Sequence, residues 1–235
     1  MKGTVTLPKG SCTTCAKVTK AIETYCMRAT LLHPRVKYGL PTHPEEIPDS
    51  FPVLVTNWSG NETQRQIPLK DFPTIWEMPI YEYPGILFNK QPEETKFGVV
   101  HANIDDALIQ KLVQLPGVKS IKATLGRVNS WTFARWIAKI GYCYAVARLG
   151  LETVRSSPLV DMIINGSTYP NYLVGGFNNL DIISGNFTLE PHTNEIFRVC
   201  LLDLTTNDKS YLAVYIRLLP ILQSPTYISV VCEKT

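Results

Sequence analysis

The chain has 235 residues, of which 45% are hydrophobic and 18% are charged. This composition can build a folded core and excludes an intrinsically disordered tail, and no run of about 18 uncharged apolar residues predicts a membrane span. The net charge of +3 is uneven: residues 1–40 hold seven Lys/Arg and one acid (7 − 1 = +6), whereas the remainder holds 16 bases and 19 acids (16 − 19 = −3). Positive charge confined to one segment favours a region that faces a polyanion such as DNA or RNA.

A Cys-x-x-Cys pair, Cys12 and Cys15, lies near the start of the chain. Two thiolates at this spacing can occupy two corners of a tetrahedral zinc site, and a structural site needs four ligands. Cys26, His33 and His43 could complete it from within the chain, although Cys26 is better explained as a core thiol and each histidine as a surface residue. A redox pair is a second interpretation, because a thiol at a helix N-terminus has a lowered pKa. Six scattered cysteines and no signal peptide indicate the cytosol.

Residues 13–32 have the spacing of an amphipathic helix. The polar side carries one basic stripe of Lys17, Lys20 and Arg28. A stripe of charge is by itself typical of a solvated helix face. Its position directly behind the cysteine pair makes these three residues our candidates for contacts with nucleic-acid phosphates. The apolar side consists of Val18, Ile22, Tyr25, Cys26, Ala29 and Leu32.

Residues 41–52 contain four prolines and are predicted to form an extended connector. The predicted domains are therefore an N-terminal module of residues 1–40, this connector, and a domain of residues 53–235. Short strands are expected at Phe51–Trp58 and Gln64–Leu69, with a turn at residues 59–61.

The strongest predicted helix is Trp131–Leu149, with Asn129 or Ser130 as N-cap and Gly150 after its last residue. Apolar residues cover most of its circumference, which predicts a helix at the centre of the core. Arg135 and Lys139, four residues apart, could form an anion site or could pair with acids from a neighbouring sheet, and the sequence leaves both interpretations open.

A shorter helix, Leu159–Ile164, is predicted to lead into a loop at Gly175–Gly176. The rest of the chain alternates strand patterns with turns, which predicts an antiparallel sheet. The expected fold class is α+β: an N-terminal zinc-finger remnant, with a helix after the CxxC, plus an α+β domain that has a central buried helix and an antiparallel sheet. The predicted strands are Ile182–Leu189, Glu195–Leu204, Tyr211–Leu219 and Tyr227–Cys232.

The cysteine pair and its surroundings resemble HNH-endonuclease-like proteins in which a zinc-bound ββα finger precedes a long uncharacterised domain. The resemblance extends over most of the chain as scattered positions. These are Leu7–Cys12, Cys15, Thr19, Glu23, Arg28, Arg35, Gly39–Thr42, Phe133–Arg135, Ala138–Gly141, Ala145, Leu149, Gly150 and Val174–Gly176.

The resemblance implies that Cys12 and Cys15 are the second pair of zinc ligands. In the family, the first cysteine pair and a Glu-His pair that supplies the general base come earlier, and no residue here matches them. We therefore expect a truncated or start-shifted member that associates with DNA or RNA, contains an incomplete zinc site and lacks nuclease activity. The alternative is a non-enzymatic module that binds a protein or small ligand, with the N-terminal helix docked on it.

Overall fold

The computed structural model describes about half of the chain, in twelve segments. They are residues 13–27, 49–71, 77–81, 97–101, 110–111, 113–122, 129–167, 173–177, 188–189, 197–206, 209–218 and 226–234. The helices are α1 (Thr13–Cys26), α2 (Ser130–Leu149), α3 (Leu151–Val154) and α4 (Pro158–Asn165). The strands are β1 (Ser50–Asn57), β2 (Glu62–Pro68), β3 (Glu77–Tyr81), β4 (Phe97–His101), β5 (Val118–Lys122), β6 (Leu173–Phe177), β7 (Thr188–Leu189), β8 (Phe197–Thr206), β9 (Lys209–Leu218) and β10 (Thr226–Lys234).

The chain divides into two compact units. The larger unit comprises Met1–Cys26, Met78–Val100 and Val128–Thr235, and the smaller comprises Met27–Glu77 and His101–Arg127. The predicted boundary at residue 40 lies outside the described residues. Of the predicted connector, residues 41–48 also lie outside them, and β1 already begins at Ser50.

The smaller unit contains a three-stranded antiparallel sheet in the order β2-β1-β5. The predicted β1–β2 hairpin is confirmed, and its turn is closed by hydrogen bonds of 3.0 Å from Asn57 N–H to the Asn61 carbonyl and from Gly60 N–H to the Asn57 carbonyl. Alternate residues of the strands meet in one apolar cluster, as expected for a sheet with one buried face. The buried members of the cluster are Val53, Val55, Ile67 and Val118.

The larger unit is built on a five-stranded sheet in the order β6-β10-β9-β8-β7. Its neighbouring strands pair antiparallel, which confirms the predicted antiparallel sheet and the α+β class. The predicted loop at Gly175–Gly176 is wrong, because both glycines lie in β6 and this strand pairs with β10. Glycine is a poor strand former on its own, so the pairing with β10 outweighs the local preference.

Helix α2 packs against β9 and β10 and forms the centre of the core, as the sequence predicted. Its Phe133 ring is fully buried and meets the ring of Tyr227 edge-to-face, with centroids 5.0 Å apart. Asn129 is the N-cap, since its side-chain oxygen accepts a hydrogen bond of 2.9 Å from Thr132 N–H. Among the described helices, none combines the length and the apolar character that crossing a membrane would need.

Helix α4 is held at both ends by other parts of the unit. Ser157 caps its N-terminus, and the Ser157 hydroxyl also donates to the carbonyl oxygen of Val231 in β10. At the C-terminus Gly166 adopts a left-handed conformation with φ of 76°, which glycine tolerates without steric cost. The indole N–H of Trp131 in α2 donates to the Gly166 carbonyl at 3.1 Å.

Candidate nucleic-acid interface

One face of α1 is packed against the rest of the larger unit. Cys15, Thr19, Ile22 and Cys26 follow at intervals of four, three and four residues, so they form a single row along the helix. Thr19, Ile22 and Cys26 are buried and Cys15 is half-buried. We call these four residues the inner row of α1.

The end of α1 contacts the start of α2. The Tyr25 hydroxyl accepts a hydrogen bond of 3.0 Å from Asn129 N–H, and the Cys26 thiol donates to the Thr132 carbonyl at 3.7 Å. Because the last residues of one helix meet the first residues of the other, α1 and α2 run antiparallel. The predicted helix is confirmed over Thr13–Cys26, and residues 28–32 of it lie outside the described residues.

An ion pair joins the last turn of α1 to the middle of α2. The Lys139 ammonium of α2 donates to the Glu23 carboxylate of α1. Arg135 instead donates to backbone carbonyls at the C-terminal end of α4, with Nη2 at 2.7 Å from the Ile163 oxygen and 3.1 Å from the Ile164 oxygen. The two side chains therefore have separate partners, and neither partner is an acid of the sheet. This arrangement is structural and disfavours the anion-site interpretation.

The basic stripe lies on the other side of α1. Lys17 and Lys20 are exposed, and at about 100° per residue they lie roughly 140° to 200° around the helix from Cys15. The other predicted phosphate contact, Arg28, lies outside the described residues, and so does Cys12 of the predicted zinc pair. Of the five predicted site residues the structure thus describes three, and it separates Cys15 from the two lysines.

The position of Cys15 follows from the register of the two helices. Cys26 lies against Thr132, and 26 − 15 and 143 − 132 both equal 11, so Cys15 is placed across from Cys143 on the antiparallel neighbour. The pKa of Tyr142 is consistent with this position, since it is raised by burial, then by the negative charge of Cys143 and of Cys15. Cys15 is therefore a half-buried thiol between two helices.

The other candidate zinc ligands within the chain are Cys26, His33 and His43. Cys26 is fully buried, and burial raises its pKa from 9.0 to about 12, so the thiol is protonated at neutral pH. Its interpretation as a core thiol is confirmed. His33 and His43 lie outside the described residues. Within the described segments no three His, Cys, Asp or Glu side chains come together in a way that could hold a metal ion. Cys15 is thus the one described member of the predicted zinc pair.

Glu23 and Tyr25 are the contacts that the sequence interpretation missed. The sequence presents Glu23 only as a position of the family resemblance and predicts Tyr25 on the apolar face of the helix, whereas the Tyr25 side chain is 41% exposed. Their partners lie more than 100 positions away in the chain. Helical periodicity carries no information on such a partner, so no local signal could have identified either contact.

Comparison with known proteins gives no relatives: no protein-family model, curated protein or solved structure matches this chain.

Proposed function

We propose that this chain is an HNH-endonuclease-like, nucleic-acid-associated protein of the cytoplasm that binds DNA or RNA through Lys17, Lys20 and Arg28. The observation that carries the proposal is the division of α1 into two faces. The inner row and the Glu23–Lys139 pair attach the helix to the core, while Lys17 and Lys20 remain exposed on the side away from it. A basic face on a helix that is already fixed to the core can bind a row of phosphates without a further loss of conformational entropy in the helix backbone.

We further propose that Cys12 and Cys15 belong to a zinc site and that the chain does not cleave the nucleic acid. Zinc supplies structural cross-linking in such a site. Hydrolysis of a phosphodiester by this family needs a histidine that activates water, and no residue of this chain corresponds to it.

The binding proposal predicts a defined dependence on salt. Three phosphate contacts on duplex DNA give a slope of about −2.7 in log K against log salt, which is about a 40-fold loss of affinity between 50 and 200 mM salt. The assay is fluorescence anisotropy of a labelled 20-base-pair duplex and a labelled RNA strand across this range.

The decisive variant is the triple substitution Lys17→Gln, Lys20→Gln and Arg28→Gln. A matched control with the same loss of charge is Lys111→Gln, Lys119→Gln and Lys122→Gln, three exposed lysines of the smaller unit. The first triple should lose most of the affinity and most of the salt slope, whereas the control should change the affinity less than about threefold. No binding at 50 mM salt, or equal loss in both triples, would rule the proposal out.

The docking of α1 favours one second candidate, a non-enzymatic module that binds a protein or small ligand and uses α1 only as a structural helix. The zinc content of the purified chain distinguishes these two candidate functions. A purified chain without zinc that folds normally after Cys12→Ser supports this second function, and stoichiometric zinc that is lost in Cys12→Ser supports the first.

A further inference from the structure

The side of α1 opposite the inner row carries two cations among small side chains. Lys17 and Lys20 are exposed there, three positions apart, so their Cβ atoms are about 5–6 Å from each other. At about 100° per residue, Thr13, Ala21 and Thr24 lie within about 40° of Lys17 around the helix. Thr13 and Ala21 are exposed, and Thr24 is half-buried. We call this surface the outer face of α1, and it consists of Thr13, Lys17, Lys20, Ala21 and Thr24.

The positive charge of the outer face is not cancelled by its own helix. Glu23 is the one carboxylate of α1, and it binds the Lys139 ammonium of α2. It lies about 120° around the helix from Lys17, between the outer face and the inner row. Within the described segments, neither Lys17 nor Lys20 belongs to an ion pair. Their ammonium groups are therefore exposed to an anion from solution.

The outer face lacks the side chains that discriminate best between bases. The strong base contacts are bidentate, from arginine to guanine and from asparagine or glutamine to adenine, and each is worth about 1–3 kcal/mol of discrimination. The outer face contains none of these three residue types. A threonine hydroxyl both donates and accepts, so it does not select one base, and a lysine ammonium is a compact charge with rotating donors. These side chains suit phosphate oxygens better than base edges.

We propose that the outer face of α1 binds the sugar–phosphate backbone of a nucleic acid independently of base sequence. This inference rests on the proposed binding through Lys17, Lys20 and Arg28, and it defines the class of ligand as any sequence of DNA or RNA. The affinity then comes from charge neutralisation and counterion release, which do not depend on the bases. Because a guanidinium can bind guanine, the test removes that of Arg28 with the substitution Arg28→Lys.

The first experiment compares base sequences at 50 mM salt by fluorescence anisotropy. The probes are labelled 20-base-pair DNA duplexes of alternating A·T, alternating G·C and mixed sequence. The affinities of the full chain with Arg28→Lys should agree within about fivefold, the factor that corresponds to about 1 kcal/mol and so to the weakest bidentate base contact. An RNA duplex of the mixed sequence identifies which of the two backbones binds more tightly.

The second experiment tests whether the outer face touches the nucleic acid. Ala21→Glu adds a carboxylate beside the two lysines and should weaken binding to every duplex alike, by at least about tenfold. The matched control Gln64→Glu adds the same charge at an exposed position of β2 and should change the affinity less than about twofold. Both positions are exposed, so both variants should fold.

The outcomes separate this inference from the proposed function. A spread above fivefold that persists in Arg28→Lys overturns sequence independence while nucleic-acid binding itself stands. Equal affinities for Ala21→Glu and Gln64→Glu overturn the contact through the outer face. Absence of binding to every duplex by the wild type overturns the proposed function and this inference together.

Discussion

The closest approach between α2 and the sheet provides a strict test of the fold. Gly141 lies in the middle of α2, and a Cβ placed on it would fall within 3.0 Å of both Cβ and Oγ of Ser229 in β10. Carbon atoms pack at about 3.5–4.0 Å, so the added methyl cannot be accommodated without a shift of helix or strand. Ser229 is fully buried and cannot swing into solvent. The substitution Gly141→Ala should therefore destabilise the larger unit.

The expected loss of stability in Gly141→Ala is the difference between two opposed free-energy terms. Alanine at a helix interior is more favourable than glycine by about 1 kcal/mol. Overpacking a tight core costs about 1–3 kcal/mol, and contact with two atoms of a fully buried residue places this site at about 2–3 kcal/mol. The net loss should be about 1–2 kcal/mol, which corresponds to a fall of about 2–8 °C in the unfolding midpoint.

Urea and thermal unfolding, followed by tryptophan fluorescence and circular dichroism, measure this loss. Ser229→Gly removes both atoms that the methyl would meet, so a double-mutant cycle with Gly141→Ala should show a coupling of about 2 kcal/mol. Ala147→Gly, at an exposed position of the same helix, measures the helix-propensity term alone. A Gly141→Ala chain that is as stable as the wild type, or a loss that Ser229→Gly does not relieve, would refute the proposed packing of α2 on β10.

Three further outcomes follow from buried or paired polar groups. Burial raises the pKa of Cys26 to about 12, so the stability that its protonated thiol contributes is complete below about pH 9 and is lost as the pH rises. Between pH 9 and 11, the free energy of unfolding of the wild type, measured in urea, should therefore fall more steeply than that of Cys26→Ala, by up to about 1.4 kcal/mol per pH unit. Arg135→Met should cost about 1.5–3 kcal/mol by thermal unfolding, since charge-assisted bonds to α4 are lost, and full stability of Arg135→Lys would contradict a need for the guanidinium fork. Glu23→Gln should cost at most about 1 kcal/mol, because the Glu23 side chain is 40% exposed, and a loss that does not shrink in 0.5 M salt would argue against the Lys139 pair.

Local patterns predicted the long elements of the larger unit well. The predicted helix Trp131–Leu149 differs from α2 by one residue, and its cap Asn129 was among the two proposed. The predicted strand Tyr211–Leu219 corresponds to β9, Lys209–Leu218. These elements have alternating or helical apolar spacing over many residues, and such spacing depends only on the chain near by.

Local patterns failed where a distant partner decides the structure. Gly175 and Gly176 have a loop composition, yet they lie in β6, and this strand pairs with β10 on both sides of them, with a register shift in between. Glu23 is an ordinary helix surface residue until Lys139 is placed beside it. In the same way, Arg198 and Arg217 lie opposite one another only through the register of β8 and β9. For the candidate site, the sequence identified the exposed stripe of α1 but could not place Cys15 between two helices.

The surroundings of α2 explain why its sequence predicted a helix at the centre of the core but did not predict which elements contact it. At about 100° per residue, the side that contains Thr132, Lys139 and Cys143 faces α1, and the opposite side that contains Gly141 faces the sheet. The flank between them carries Arg135, which holds α4. Because α1, α4 and the sheet each contact a different side of α2, apolar residues are distributed around the helix and its amphipathic pattern is weak. The same arrangement means that the exposed lysines of α1 are positioned by α2, so a substitution that shifts α2 should move the candidate phosphate contacts as well as weaken the core.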